Sequence, residues 1–495
     1  MKRNITLLLI VAIALCVVGC RHRLWFPDAP MSQSNSPHGG QISYDTDGDG
    51  RADYFELVDE SGRKSCIAYD YNNDAQPDSF VYLDKLPSSR CRHLVIILDG
   101  FPYDLVKDFY DKGHLRFFHP PARVVAPFPT MTDLCIADAL NHIPCLSYEA
   151  LYYDRRKRRL TRGTWDYLHV RNEAWVGDLD YRGPVILDTF SYLSPWQVVK
   201  KQVAQAHSVF SRRDGREVIL YFVGTAGMGT TNGTEGMVRC LELVERLVGQ
   251  VMCETRGLVK ITLFADHGHT GKPFENTHLS KCLKQKGWHP AKRLRKKRDF
   301  VHIEFGLVTY AAFLTRDAPG LAADLAGAGS VDLAAYMVPE GVAVVSSRGS
   351  AVISEKDGRF RYRAQKGDVL LLKEVIAKLD KEGKVDAEGY IDDSAFFEAT
   401  VTHEYPDALR RLWRAFYGLV ENVPDVVVSL KDEYCSGSSG YSAILKRAST
   451  HGGLNYTNSV TFIMSTAGPL PKAMRSDEIP LHLGKLFNRP FPYRR

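Results

Sequence analysis

Apolar runs of about six residues alternate with amphipathic stretches along most of the chain from about residue 91. The runs are rich in Val, Ile, Leu and Phe and predict strands, while apolar residues at helical spacing predict helices. The predicted strands are 93–98, 217–223, 259–265, 306–314, 342–347, 425–430 and 460–465. The predicted helices are 195–210, 233–253, 368–380 and 406–420. This alternation predicts an α/β fold with a largely parallel sheet and helices on both faces.

The N-terminus follows a different pattern. Lys2 and Arg3 precede an apolar run that ends at Val18 and is followed by Gly19 and Cys20. The segment resembles a bacterial lipoprotein signal, and the run is shorter than the roughly 18 residues that span a bilayer comfortably, which disfavours a permanent transmembrane anchor. The resemblance implies a signal peptide at 1–19, lipidation of Cys20 and a protein tethered to the bacterial cell envelope on the exported side of the membrane. Residues 20–40 are rich in Pro, Ser, Gly and Asn and predict a flexible spacer.

Residues 41–84 carry an acidic tandem pattern. The twelve residues DTDGDGRADYFE place oxygen-bearing side chains at the spacing that calcium requires, with Gly50 at the sharp turn. The predicted ligands are Asp45, Asp47, Asp49, Arg51 at the seventh position, Asp53 and Glu56.

A weaker copy begins 25 residues later and has neither the turn glycine nor an acid at the twelfth position. Its predicted ligands are Asp70, Asn72, Asp74 and Asp78. The flanking segments YFELV, KSCIAY and SFVYL predict short strands. The pattern therefore favours a structural calcium-binding hairpin module over an EF-hand switch, because strand-flanked loops lack the helix pair that opens. An acidic turn without metal is the alternative for each loop.

Composition and charge exclude several classes of protein. The chain has 495 residues, of which 44% are hydrophobic and 25% charged, and this excludes a disordered or fibrous protein. Its net charge of +6 is small for this length and argues against nucleic acid as a partner. The basic clusters at 155–159 and 292–298 indicate solvated faces, or contacts with anionic surfaces. Eight cysteines follow Cys20, and disulfides or buried free thiols are equally compatible with them.

Candidate chemistry lies directly after the predicted strands, where ligands collect in such sheets. Asp99 follows the first strand, and Asp266 and His267 follow the third. Thr130 and Thr132 lie in a proline-punctuated loop, and His451 lies in the loop before the last strand. Together these side chains predict a hard-cation site with a threonine hydroxyl as nucleophile.

The segments LDG near 99, FPTMT near 132, ADHG near 266 and THGG near 451 resemble, in this order, the alkaline phosphatase superfamily. The resemblance is to its type I phosphodiesterase and nucleotide pyrophosphatase branch and spans residues 93–468. It implies a three-layer α/β/α sandwich that hydrolyses small-molecule or polymeric phosphate mono- or diesters with one or two divalent metal ions, usually zinc. Carried over, one metal site has Asp99, Thr132, Asp266 and His267 as ligands, and His451 belongs to a second. Thr132 is then the nucleophile in preference to Thr130.

The chain departs from this pattern after the strand at 217–223. The superfamily has an Asp and, four residues later, a His there, whereas this sequence reads GTAGMGTTNG with Ala226 and Thr230 at those places. Two-metal hydrolysis is therefore in doubt, and a catalytically degenerate envelope protein with a binding role is the alternative. Backbone amides of this glycine-rich segment, taken as a loop, offer a possible phosphate cradle. His269, His278 and His403 are expected in loops or on the surface.

Overall fold

A computed structural model of the chain describes residues 24–36, 39–163, 173–183, 191–304, 306–437 and 447–493. The strands of the described residues are β1 (Ser32–Ser36), β2 (Gly39–Tyr44), β3 (Tyr54–Val58), β4 (Lys64–Tyr69), β5 (Ser79–Tyr82), β6 (Arg92–Leu98), β7 (Ala122–Val125), β8 (Tyr152–Asp154), β9 (Arg159–Thr161), β10 (Tyr181–Arg182), β11 (Glu217–Phe222), β12 (Val259–Ala265), β13 (Glu275–Asn276), β14 (His289–Pro290), β15 (Asp299–Ile303), β16 (Tyr310–Thr315), β17 (Val331–Val338), β18 (Gly341–Ser346), β19 (Gly349–Lys356), β20 (Arg359–Gly367), β21 (Val426–Leu430), β22 (Tyr434–Cys435), β23 (Val460–Ser465) and β24 (Ala473–Arg475). The α-helices are α1 (Tyr103–Asp111), α2 (Thr132–Ala139), α3 (Pro195–Arg212), α4 (Gly224–Glu254), α5 (Leu279–Gln285), α6 (Ala318–Ala326), α7 (Lys373–Lys381), α8 (Asp393–Thr400), α9 (Ala408–Phe416), α10 (Tyr456–Ser459) and α11 (Ile479–Phe487).

A seven-stranded sheet in the order β10-β11-β6-β12-β23-β7-β24 forms the centre of the molecule. All of its strands run in one direction except β23, which is antiparallel to both of its neighbours. Alternate side chains of β6 point to opposite faces: Leu94 and Ile96 pack with α1, α3 and α4, whereas Val95 and Ile97 pack with α2 and α11. The α/β/α sandwich with a largely parallel central sheet is confirmed.

Three of the predicted strands belong to a different sheet. β16, β18 and β21 correspond to the predictions 306–314, 342–347 and 425–430, and they lie in an eight-stranded sheet in the order β14-β15-β16-β21-β17-β18-β19-β20. Every pairing in that sheet except β14 with β15 is antiparallel. Periodicity identifies a strand but not its partners, since pairing depends on residues far away in the sequence.

The N-terminal residues form a five-stranded antiparallel sheet, β1 to β5. The predicted strands of the hairpin module are present as β3, β4 and β5. The flexible spacer predicted for 20–40 is wrong for residues 24–36, because β1 pairs with β2 and Phe26 is 3% exposed. Phe26 packs between Tyr44 and Tyr54, with ring centres 4.9 and 5.8 Å away. The predicted signal peptide and Cys20 lie outside the described residues.

The glycine-rich segment after β11 is helical. It forms the first turns of α4, which is broken at Gly233, where φ is 60° and ψ is −146°. The segment is therefore a helix and not the loop that the sequence predicts, and the amides of Gly224 and Ala226 donate to Gln202 Oε1 and to the Val223 carbonyl. Ala226 and Thr230 are buried in these turns.

Among the described residues, every helix is too short or too polar to cross a membrane. The cysteines of this part of the chain are free thiols rather than disulfides. The two basic clusters are exposed: Arg155 pairs with Asp425, and Lys297 with Asp317.

Candidate active site

The site begins where two adjacent parallel strands end. Leu98, the last residue of β6, is in register with Ala265, the last residue of β12. Asp99 and Asp266 therefore leave the sheet side by side, and His267 follows directly. The three side chains are at most 3% exposed, and each offers a ligand atom within 4.8 Å of the other two. The fold brings together the residues that the sequence predicts as the first metal site.

Thr132 is the first residue of α2 and lies at the edge of this cluster. Its Oγ1 is 3.3 Å from His267 Nε2. Thr130 is fully buried and faces away from the cluster: its hydroxyl accepts a hydrogen bond from Gly452 N at 3.0 Å. The Thr132 hydroxyl therefore contacts the cluster, whereas Thr130 joins its own loop to the loop of His451.

His451 completes this connection. Its Nδ1–H donates to the carbonyl of Thr130 at 2.9 Å, and its ring stacks on that of His267 with the centres 4.0 Å apart. Because a carbonyl oxygen can only accept, the neutral His451 ring keeps its lone pair on Nε2. The predicted second-site ligand thus lies beside the first site.

The atoms of the first cluster fit a divalent cation. His267 Nδ1–H donates to the carbonyl of Gly268 at 2.8 Å, so its Nε2 lone pair faces Asp266 Oδ2 at 3.3 Å and Asp99 Oδ1 at 3.7 Å. With both carboxyl groups ionised, these three atoms are acceptors that face one another, an arrangement that a bound cation would stabilise. Ligand atoms at about 2.0–2.1 Å from one tetrahedral zinc lie roughly 3.3 Å apart. The distances therefore suit zinc or a similar ion.

Burial acts on every ionisable group of the cluster. It raises the pKa of Asp266 to about 7, against hydrogen bonds from the amides of Gly100 and His267 that lower it. Burial also lowers the pKa of His267 to about 4 and moves the pKa of His451 well below its usual value. The histidines are consequently neutral at physiological pH, as metal ligands must be, and a bound cation would favour the ionised carboxylates.

Several supporting residues are not apparent from the sequence. The Tyr221 hydroxyl donates to Asp99 Oδ2, and Thr225 Oγ1 accepts from the Asp99 amide at 2.8 Å. Both lie on or just after β11, the strand next to β6. Their position is recognisable only once β11 is known to pair with β6, because neither residue type signals a ligand by itself.

Arg411 of α9 donates hydrogen bonds to two loops, one after His451 and one before Thr130. Its guanidinium is 3% exposed and donates to the carbonyls of Leu454 at 2.9 Å and Pro127 at 3.5 Å. Burial lowers its pKa to about 10. Leu454 is three residues after His451, and Pro127 precedes the threonine loop. A single buried arginine thus connects the segments that carry Thr132 and His451.

His269 contradicts the expectation of a loop or surface residue. It is 1% exposed, its Nδ1 is hydrogen-bonded to Ser449 Oγ, and its ring centre is 5.6 Å from that of His451. The HGH spacing after β12 was the available signal. His278 is exposed and His403 is partly exposed, as expected.

The first acidic loop forms a compact cluster at the tip of the β2–β3 hairpin. Carboxylate oxygens of Asp45, Asp47 and Asp49 lie within 4.8 Å of one another. Asp45 accepts hydrogen bonds from Gly48 N and Gly50 N, and Asp53 accepts from the Thr46 amide at 2.9 Å. The side chain of Arg51 donates to the carbonyl of Asn73 at 2.9 Å, so the two acidic loops touch.

The second loop repeats this hydrogen-bond pattern 25 residues later. Asp70 accepts from the amides of Asn73 and Ala75, and Asp78 accepts from the Tyr71 amide at 2.9 Å. Ala75 stands where the first loop has Gly50 and adopts the same left-handed conformation, with φ of 64°. The remaining predicted ligands, Asn72 and Asp74, accept from the amides two residues further on. The second loop therefore folds like the first without the turn glycine.

Glu56, predicted as the twelfth-position ligand, is outside the cluster. It lies in β3, is fully buried, and forms an ion pair with Lys64 Nζ at 2.5 Å. A helix after the loop would turn this side chain back towards the calcium position. In a strand the side chain points to one face of the sheet, here the buried face. The prediction of Glu56 as a calcium ligand is wrong for this reason.

The sequence matches no family model and no curated protein. Solved structures with a similar chain trace include murine and human ectonucleotide pyrophosphatase/phosphodiesterase 5. The murine protein is 11% identical, with 81% of this chain and 97% of its own covered and a TM-score of 0.42, and the human protein is 10% identical, with 81% and 96% covered and a TM-score of 0.44. Phosphonoacetate hydrolase from Sinorhizobium meliloti, solved with phosphonoacetate, is 13% identical, with 81% and 96% covered and a TM-score of 0.42. The function is therefore inferred from the geometry of the site itself.

Proposed function

We propose that this chain is a metal-dependent hydrolase of phosphate mono- or diesters with Thr132 as its nucleophile. The observation that carries the proposal is the convergence of His267 Nε2, Asp266 Oδ2 and Asp99 Oδ1 beside the Thr132 hydroxyl. These atoms form a buried, preorganised set of zinc ligands with a potential nucleophile in contact with it.

Asp99, Asp266 and His267 would hold the ion together with Thr132. A divalent cation there lowers the pKa of a hydroxyl and offsets negative charge on a phosphoryl group. The Thr132 hydroxyl would lose its proton to water and Oγ1 would form a bond to phosphorus as the ester P–O bond breaks. The departing alkoxide would take up a proton from water. Water then attacks the phosphothreonine, which releases phosphate or a monoester and restores the hydroxyl. The position of Thr132 at the N-terminus of α2 favours the negative charge that develops on its oxygen.

The test compares wild type with Thr132→Ala, Thr132→Ser and Thr130→Ser, using p-nitrophenyl phosphate and bis(p-nitrophenyl) phosphate with measured zinc content. We expect Thr132→Ala to lower kcat/KM by on the order of 10³-fold or more. Thr132→Ser, which keeps a hydroxyl, and Thr130→Ser, which alters the buried loop contact, should retain turnover. Zinc-loaded wild type without turnover of either ester would contradict the proposal.

A second candidate is a protein that binds phosphate esters without hydrolysing them. It is favoured by the first turns of α4, where the buried Ala226 and Thr230 provide no carboxylate or imidazole. Bound zinc together with saturable phosphate-ester binding, but no Thr132-dependent turnover, would identify this function.

The acidic loops are proposed to bind calcium as a structural clip, with Asp45, Asp47 and Asp49 as ligands of the first ion. Calcium that binds only the folded module stabilises it by about 2.7 kcal/mol at a hundredfold excess over Kd. We expect calcium to raise the Tm of the purified protein and Asp47→Asn with Asp49→Asn to abolish the rise. Asp214→Asn, an exposed acid outside the loops, serves as the control. An unchanged Tm in wild type would indicate acidic turns without metal.

Lipidation of Cys20 and residence in the bacterial cell envelope are also proposed, on the sequence of residues 1–20. Mass spectrometry of the N-terminal peptide from the membrane fraction would detect the acyl chains. Cys20→Ser should release the protein from the membrane fraction, and retention with an unprocessed N-terminus would contradict this proposal.

A further inference from the structure

His269 is a buried imidazole that the chemistry proposed above does not use. Its Nδ1 is hydrogen-bonded to Ser449 Oγ, which also accepts from the Gly271 amide at 2.7 Å and so has a defined position. Its Nε2 has no hydrogen-bond partner among the described residues. An unsatisfied polar atom in the interior is costly. The orientation of this ring therefore makes sense if Nε2 meets a ligand that is not part of the chain.

The unsatisfied nitrogen faces the helix that lacks the expected ligands. A Cβ atom at Gly229 of α4 would lie 3.3 Å from His269 Nε2, and one at Gly100 would lie 2.8 Å from Cδ2 of the same ring. Glycine at both positions makes room for the imidazole. Gly229 lies between Ala226 and Thr230, which stand where the resemblance leads one to expect an Asp and a His. The imidazole of His269, which follows β12, thus contacts the part of α4 in which Ala226 and Thr230 provide no metal ligand.

Ser449 can donate its own proton to Thr270 Oγ1, 3.2 Å away, and accept from His269 Nδ1–H, which leaves the lone pair of His269 on Nε2. His451 likewise has its lone pair on Nε2, because its Nδ1–H is donated to the Thr130 carbonyl. Two imidazoles bound to one zinc at about 2.0–2.1 Å have ring centres roughly 5–6 Å apart. The measured separation of the His269 and His451 rings is 5.6 Å. His451 also stacks almost parallel on His267, with the ring centres 4.0 Å apart. The stacking places His451 directly beside the ligand His267 of the first site.

We propose that His269 and His451 form a second metal site beside the Asp99, Asp266 and His267 site, with His269 replacing the ligands that α4 lacks. The inference rests on the proposed function and deepens it. Imidazole ligands select zinc or a similar transition metal over calcium or magnesium. Two protein ligands are one fewer than catalytic zinc sites usually have, so the remaining positions are available to water and to phosphoryl oxygens. The second ion should therefore bind more weakly than the first and more tightly when phosphate is present.

The experiment measures zinc bound per chain by equilibrium dialysis and elemental analysis of the full-length protein, with and without inorganic phosphate. Wild type should bind one ion tightly and a second more weakly, and phosphate should strengthen only the second step. His269→Ala and His451→Ala should each weaken the second step by more than about 100-fold and leave the first in place. Asp266→Asn should remove the first step. His142→Ala, which changes a histidine paired with Asp178 at 2.6 Å, is the matched control and should keep both.

A spectroscopic measurement on wild type avoids dependence on variants that fail to fold. X-ray absorption at one zinc per chain should detect one imidazole per ion, from His267. At two zinc per chain it should detect three imidazoles over two ions, an average of about 1.5 per ion. A wild-type chain that binds one ion even with phosphate, or His269 variants that keep the second step, would overturn the inference. If the chain bound one zinc tightly and showed Thr132-dependent turnover, the proposed function would remain intact. If wild type bound no zinc tightly, the proposed function itself would be refuted.

Discussion

Glu149 and Asp266 are carboxyl groups whose burial raises the pKa to about 7, but their surroundings differ. Asp266 lies within 4.8 Å of ligand atoms of Asp99 and His267. Glu149 accepts hydrogen bonds from the Tyr310 hydroxyl at 2.6 Å and from the Gly306 amide at 3.2 Å, outside the cluster. Glu149 therefore contributes a pH dependence of stability that can be measured without metal bound to the cluster.

The Glu149→Gln variant should alter the pH dependence of unfolding. The folded pKa of Glu149 lies above its unfolded value, so its contribution to stability is complete below about pH 4.5 and is lost as the pH rises through 7. One pKa unit corresponds to about 1.4 kcal/mol. We expect the variant to gain stability relative to wild type, on the order of 1–3 kcal/mol, between pH 5 and pH 8. Urea unfolding of both proteins in EDTA at the two pH values measures the difference, and a pH-independent difference would be contrary to this expectation.

At the scale of elements, the ends of strands and the first turns of helices place the chemistry. β6 and β12 deliver the two aspartates because they are parallel neighbours in register. α2 begins at Thr132, and the first turns of α4 lie against His269. Gly233 separates these first turns from the amphipathic remainder of α4, which is the part that the sequence predicted as a helix.

Gly233→Ala should destabilise the protein through this break in α4. Its φ of 60° and ψ of −146° lie near a region of backbone conformation that only glycine adopts readily, at a cost of about 1–3 kcal/mol for other residues. A Cβ there would meet only Ala448, at 3.6 Å, so the effect is conformational rather than steric. Gly329→Ala, at a glycine with open space and no positive φ, is the control and should be nearly neutral. Equal free energies of unfolding for the two variants would argue against strain at Gly233.

At the scale of the whole molecule, the five-stranded N-terminal sheet is attached to the sandwich through α4. Phe26 lies against Gly249, where a Cβ would come within 2.9 Å of its ring, and the Tyr69 hydroxyl donates to the Cys253 carbonyl at 2.8 Å. Gln250 accepts a hydrogen bond from the Phe26 amide. The same helix thus contacts the acidic module at one end and Asp99 and His269 at the other.

Phe26→Ala should loosen this attachment. Truncating a buried phenylalanine costs about 3–5 kcal/mol. Because Phe26 lies at the interface, we expect the loss to appear as faster amide hydrogen exchange in β2 to β4, with zinc binding at the active-site cluster unchanged. Trp25→Ala, at a neighbouring ring that is 45% exposed, should have a much smaller effect. Unaltered exchange in Phe26→Ala would mean that other contacts hold the module.

Much of the candidate site was predictable because its residues occupy local positions that periodicity reveals. Asp99, Asp266 and His267 directly follow apolar runs, and parallel strands end at one edge of a sheet. The resemblance already favoured Thr132 over Thr130, and the structure adds their positions: the Thr132 hydroxyl contacts His267, whereas the Thr130 hydroxyl bonds to the Gly452 amide. Glu56 was misplaced because one-dimensional spacing does not distinguish a strand from a helix after the loop.

The sequence by itself determined the four longest strands of the central sheet, the residues at the ends of β6 and β12, and the acidic loops, because these depend on neighbours within a few residues along the chain. Only the tertiary structure decided that the strands divide between two large sheets, and that His269 faces α4 instead of solvent. It also decided that Arg411 joins the two site loops from another helix. These features depend on contacts between residues that are distant in sequence, and such contacts form only when the whole chain is packed.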